Sequence, residues 1–185
     1  MSKLFEKDRI LVYTTIFEEC DIYEKLKKKF EKFIDKNYKF KLDSEDSHIN
    51  DLKPKLIKEI TYYCKQINTK EDSHTLKNIN LDLYINIHNK PDKYVSTMDI
   101  NKKSIISGLY FINIDEKSDF IDFRNPNLFK CMNSKYYNPL IKRLDIKNGM
   151  LLLYQSNIKH TFKKNSLKNG EQIIYISFDI TYLKI

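Results

Sequence analysis

Tryptophan is absent from this chain, and glycine and proline are scarce, with 3 and 4 copies in 185 residues. Few turns are therefore legible from the usual punctuation. Cysteine is also sparse: Cys20, Cys64 and Cys131 are odd in number, far apart and form no Cys-x-x-Cys pair. That excludes a disulfide framework and a cysteine zinc site, and fits three reduced thiols of a cytoplasmic protein. The segment MSKLFEKDRI has no apolar core of signal-peptide type. No apolar run approaches the ~18 residues of a spanning helix. The protein is expected to be cytoplasmic, with no membrane partner.

Arginine is nearly missing too. Of 33 basic residues only Arg9, Arg124 and Arg143 carry a guanidinium, although the formal net charge is +8. Nucleic-acid readers lean on the planar, bidentate guanidinium. Nucleic acid therefore stays a weakly supported partner that rests on charge alone, and the lysine, asparagine and isoleucine excess looks like the imprint of an AT-rich genome. No Gly-x-Ser-x-Gly, glycine-rich phosphate loop, His-Glu-x-x-His or paired-carboxylate motif occurs. Cys131, in FKCMNSKYY, has no neighbouring base and reads as an idle thiol.

What is present is an ordinary globular composition, 41% hydrophobic and 13% aromatic. At this length one domain, spanning 1–185, buries roughly 70% of its unfolded surface without a staple. The first part, 1–78, reads as a strand (RILVYTTIF, 9–17) and two amphipathic helices. Ile22, Leu26, Phe30, Phe33 and Ile34 give the first apolar stripe, with solvated lysines between them. Leu56, Ile57, Ile60, Cys64 and Ile67 give the second, with Asp51 as N-cap and Pro54 in the first turn. From Ile79 the period becomes two: Ile79, Leu81, Leu83, Ile85 and Ile87 alternate with Asn80, Asp82, Tyr84, Asn86 and His88. SIISGLYFINI, SDFIDF, MLLLYQS, IKHTFKK and EQIIYISFDITYLKI read as further strands, while 89–103 and 124–149 read as loops, the latter closed by Asn148-Gly149. The expected class is α+β. Residues 79–185 form a jelly roll, a double-stranded β-helix, with the two N-terminal helices packed on one face.

His160 ends an apolar run and begins a basic one, in LLLYQSNIKHTFKKN. A lone histidine at a strand end is commonly a hydrogen-bonded structural residue. The motifs around it point further. LYINI (83–87), SGLYFI (107–112), FRNP (123–126), GMLLLYQSNIKH (149–160) and IIYISFD (173–179) follow one another in the order and spacing of a known family. The chain resembles small 2-oxoglutarate/iron(II) oxygenases of phages and bacteria. The resemblance implies an iron(II) site with His160 as its distal histidine and Asp99 as a second ligand. It also implies 2-oxoglutarate contacts from Asn86, Tyr110, Tyr175 and Ser177.

The sequence departs from that pattern twice. The first iron-binding histidine is missing: in VSTMDINKK its position falls on Thr97 or Asp99, and the carboxylate position on Asp99 or Asn101. The arginine for the far carboxylate of 2-oxoglutarate is replaced by Ile173. Such oxygenases hold iron with two imidazoles and one carboxylate, and a buried carboxylate needs a cation. Tyr175 and Ser177 offer only neutral donors and Asp179 repels an anion, while Lys163 and Lys164 are expected at a solvated edge. His88 shares a strand face with Asn86 and is a remote candidate for the missing ligand. The sequence thus implies a 2-oxoglutarate/iron(II) dioxygenase-like protein with impaired catalysis, acting on an unspecified small molecule or macromolecule. The alternative is a non-catalytic jelly-roll accessory protein of phage or viral type without a cofactor. Nucleic-acid binding is a third, weaker reading.

Overall fold

The computed structural model describes residues 3–7, 10–17, 20–32, 38–42, 47–67, 79–88, 94–95, 104–116, 119–124, 141–156, 158, 160–163 and 172–182. A hairpin of β1 (Lys3–Lys7) and β2 (Ile10–Ile16) leads into α1 (Cys20–Phe30), β3 (Tyr38–Lys41) and α2 (Ser47–Ile67). β4 (Ile79–His88), β5 (Tyr94–Val95), β6 (Ser104–Asn113) and β7 (Phe120–Arg124) follow. β8 (Ile141–Asp145), β9 (Met150–Gln155), β10 (His160–Lys163) and β11 (Ile173–Tyr182) complete the described elements.

The strands form a larger sheet, β1-β2-β9-β6-β11-β4-β3, and a smaller one, β5-β10-β7-β8. Every pairing is antiparallel. From β4 onward the chain crosses repeatedly between the sheets, with β4, β6, β9 and β11 in one and β5, β7, β8 and β10 in the other. This winding is a double-stranded β-helix with two helices added, as expected from the alternating segments. β2 and β3 pair with β9 and β4, so strands from before residue 79 widen the larger sheet on both sides.

Side-chain parity splits the core in two. Ile85, Ile87, Tyr110, Leu151, Leu153, Ile174, Ile176 and Phe178 face the helices, meeting Ile22, Leu26 and Phe30 of α1 and Leu52, Leu56 and Ile60 of α2. Leu109, Phe111, Leu152, Tyr154, Ile173 and Tyr175 face the smaller sheet, meeting Ile121, Phe123 and Phe162 inside the roll. The larger sheet is thus covered on both sides, and its strands β6 and β9 read as continuous apolar runs, while β4 alternates.

Several expectations need correction. α2 begins at Ser47, so Asp51 is not its N-cap and Pro54 lies inside the helix. Proline lacks the N–H that would bond the Asn50 carbonyl; Asn50 is exposed, so water can take that place. β8 falls in the segment read as a loop, because IKRLD has only two apolar residues around a Lys-Arg pair. β1, β3 and the short β5 are strands without a legible strand pattern, since lysines or polar loop residues interrupt or surround each of them. Asn148-Gly149 does form a turn, with Gly149 at φ 73°, where a side chain would be strained. The turn carries the chain from β8 in one sheet to β9 in the other.

Candidate functional site

Inside the roll the larger sheet presents side chains in rungs. Tyr154, Ser107, Asp179 and Asp82 share one, across β9, β6, β11 and β4. Leu152, Leu109, Ser177 and Tyr84 form the next. Phe111, Tyr175 and Asn86 form the third.

His160 opens β10 opposite Phe123 of β7 and is 6% exposed. Its ring packs at 4.9 Å and 65° against Tyr154 and at 5.8 Å against Phe123, and Nε2 lies 3.4 Å from the Tyr154 hydroxyl. Burial drives its pKa down to about 4, with the nearby Ile158 backbone opposing that shift more weakly. The imidazole is therefore neutral near pH 7, the form in which a histidine binds metals. Burial, and then the charges of Asp179 and Tyr175, keep the Tyr154 phenol protonated. Tyr154 was not singled out from sequence, although it shares parity with Met150 and Leu152 and lies six residues before His160.

Iron fits this histidine chemically. The rest of the proposed ligand set is not in view: Asp99, Thr97 and Asn101 lie outside the described residues. β5 pairs with β10 through Phe162–Val95 and Lys163–Tyr94, so Tyr94 and Val95, a few residues before Asp99 in sequence, lie beside the strand that starts at His160. Among the described residues no three His, Cys, Asp or Glu side chains gather as a metal cluster.

The far end of the expected cosubstrate site fits less well. Asn86, Tyr175 and Ser177 do come together: Asn86 Nδ2 donates to Ser177 Oγ at 2.9 Å and to the Tyr84 carbonyl at 3.1 Å. Tyr110 is turned away. Residue alternation along β6 places its ring on the helix side, 5.5 Å from Phe17. Ile173, at the arginine position, is 1% exposed and part of the apolar interior. His88, its cross-strand partner, stacks on Tyr175 at 5.7 Å, with Nε2 3.4 Å from the tyrosine hydroxyl. Asp179 accepts hydrogen bonds from Ser107 Oγ at 2.5 Å and Ser104 Oγ at 3.4 Å. Among the side chains described, the lysines on this face are Lys39 and Lys41 of edge strand β3. Lys41 pairs with Asp82 at 2.6 Å, and Lys39 lies 5.7 Å from the centre of the Tyr84 ring.

With this geometry in place, solved structures provide the comparison. A Pseudomonas putida prolyl-4-hydroxylase superposes with a TM-score of 0.60 at 9% identity, covering 94% of this chain and 93% of that one. The fold is that of the 2-oxoglutarate/iron(II) oxygenases. The viral collagen prolyl hydroxylase of Paramecium bursaria Chlorella virus-1 matches with a TM-score of 0.57 at 13% identity, over 93% and 90% of the two chains. HygX from Streptomyces hygroscopicus, solved with nickel and 2-oxoglutarate bound, matches with 0.58 at 12% identity, over 94% and 82%. No protein-family model and no curated protein matches the sequence. At such identities the oxygenase fold is what is shared; the site must be argued from this chain's own residues.

No described helix is long and apolar enough to cross a membrane.

Proposed function

We propose that this chain is an iron(II)-binding, dioxygenase-like protein of the 2-oxoglutarate oxygenase type, impaired at its cosubstrate end. The observation that carries this is His160: a buried imidazole, neutral near pH 7, inside the roll of an oxygenase fold. In this reading His160 and Asp99 are the protein ligands, and Tyr154 fixes the imidazole plane by ring packing. Asn86, Tyr175 and Ser177 offer neutral hydrogen-bonding groups to a ligand carrying oxygen atoms. Iron bound there with a 2-oxo acid would supply the activation of dioxygen. A two-residue ligand set implies weak metal binding, because even the loss of groups behind the ligands costs about 10- to 100-fold in affinity.

Anaerobic calorimetric titration with Fe(II) tests this. One equivalent should bind, and His160→Ala and Asp99→Ala should each weaken it by at least about tenfold. No uptake under excess Fe(II) would end the reading.

A second reading is favoured by Ile173 and Asp179, which put carbon and negative charge where an anionic cosubstrate needs a cation. It makes the chain a non-catalytic accessory protein built on the oxygenase roll. His160→Ala and Asp99→Ala would then leave its function untouched. Nucleic-acid binding is the third reading. It draws on exposed Lys25, Lys28, Lys29 and Lys32 of and just after α1, which alternate with Glu24 and Glu31. A binding constant without steep salt dependence would remove it.

A further inference from the structure

The proposed cosubstrate end is apolar and aromatic where 2-oxoglutarate would place its second carboxylate. Ile173 lies in the interior beside Phe111, Phe162 and Tyr175. Those rings form a triangle, with centroids 6.3 Å apart for Phe111–Phe162 and Phe111–Tyr175 and 6.0 Å apart for Phe162–Tyr175. The polar groups nearby, Asn86 beside Ser177 and Tyr175 beside His88, include no guanidinium or ammonium to set against a carboxylate. Two rungs from Tyr175, Asp179 adds a carboxylate of its own. Lys39 and Lys41 sit on β3, an edge strand separated from β11 by β4, and engage Tyr84 and Asp82. A dicarboxylate entering this roll would bury its distal charge among rings, and among the described side chains no fork-shaped cation stands there to meet it.

We infer that the ligand of this roll is a 2-oxo acid with an uncharged, carbon-rich tail, in place of 2-oxoglutarate. The inference rests on the iron-binding reading above. The 2-oxo carboxylate end needs only the metal, which any 2-oxo acid can chelate. The tail is what the protein selects, and here Ile173, Phe111, Phe162 and Tyr175 match a branched aliphatic or aromatic group. Hydrophobic contact and the missing charge both favour the monoacid.

The test is calorimetry on the full chain, anaerobically, first with Fe(II) alone and then with 2-oxoglutarate, 2-oxo-4-methylpentanoate or phenylpyruvate, each with and without the metal. At least one monoacid should bind the iron-loaded protein about tenfold or more tighter than 2-oxoglutarate. Ile173→Arg should shift that ratio by about tenfold or more towards 2-oxoglutarate. Should the buried arginine prevent folding, the wild-type ratio decides alone. Equal or tighter binding of 2-oxoglutarate overturns the inference, as does 2-oxoglutarate binding that Lys39→Ala abolishes. Iron uptake with no 2-oxo acid bound also overturns it, while leaving the iron site standing. Failure to take up iron removes the iron-binding reading, and this inference with it.

Discussion

Acidification should destabilise this protein in a window set by His160. An unfolded histidine takes up a proton near pH 6.5, whereas burial holds His160 neutral down to about pH 4. Between these values the unfolded chain binds the extra proton and the folded chain does not. Stability therefore falls as pH drops through that window and is fully present above it; below about pH 4 both states are protonated and the slope ends. At ~1.36 kcal/mol per pKa unit the total is about 3 kcal/mol. That is a large part of the 5–15 kcal/mol typical of a domain. The assay is urea unfolding between pH 7.5 and pH 4.5, on wild type and on His160→Gln, which stays neutral but keeps a polar group beside Tyr154. Carboxylates that titrate in the same range cancel in the difference. Wild type should lose roughly 2–3 kcal/mol relative to the variant over this range. A difference that stays constant to within about 0.5 kcal/mol would refute the burial of a neutral imidazole.

Gly108→Ala should destabilise by about 2–3 kcal/mol or more in denaturant unfolding, because an added Cβ would lie 2.2 Å from Cζ of Phe178. Adding Phe178→Leu should recover part of that loss; full tolerance of the alanine would contradict the packing of β6 against β11. Tyr13, buried on the helix side, donates its hydroxyl to Glu59 of α2. Tyr13→Phe should cost about 1–2 kcal/mol in thermal or urea unfolding, and an unchanged midpoint would show that the bond does not form. Arg143 Nε bonds the buried carboxylate of Asp122 at 3.2 Å, and its guanidinium lies 3.8 Å from the centre of the Phe120 ring. As Arg143 is half exposed, Arg143→Met should cost about 1–2 kcal/mol in urea unfolding at pH 7. A neutral outcome at pH 7 would mean that water serves Asp122 equally well.

The roll was legible because its central strands carry their pattern openly. Leu81 to Ile87 alternates cleanly, and the apolar runs around Leu151 and Ile176 have strand length between polar breaks. The edge strands were harder to read. β3 (YKFK) and β8 (IKRLD) hold only two apolar or aromatic residues each, and their lysines and arginine resemble loop composition. Tyr110 shows a different limit. In SGLYFI nearly every residue is apolar and buried on one face or the other, so the sequence does not say which face Tyr110 takes. Register settles it, through pairing with Leu151 and Ile176, both on the helix side. His160 stood out because a histidine amid an apolar run is rare in this chain. Its neighbour Tyr154 did not, since the contact depends on β9 and β10 facing each other from opposite sheets.

The measurement closest to the central claim is a crystal structure of the protein grown anaerobically with Fe(II), or with Mn(II) in its place. The metal should appear inside the roll with a ring nitrogen of His160 and a carboxylate oxygen of Asp99 each roughly 2.0–2.3 Å away. No guanidinium or ammonium should stand opposite Ile173. Metal bound elsewhere, or an Asp99 carboxylate pointing away from His160, would contradict it.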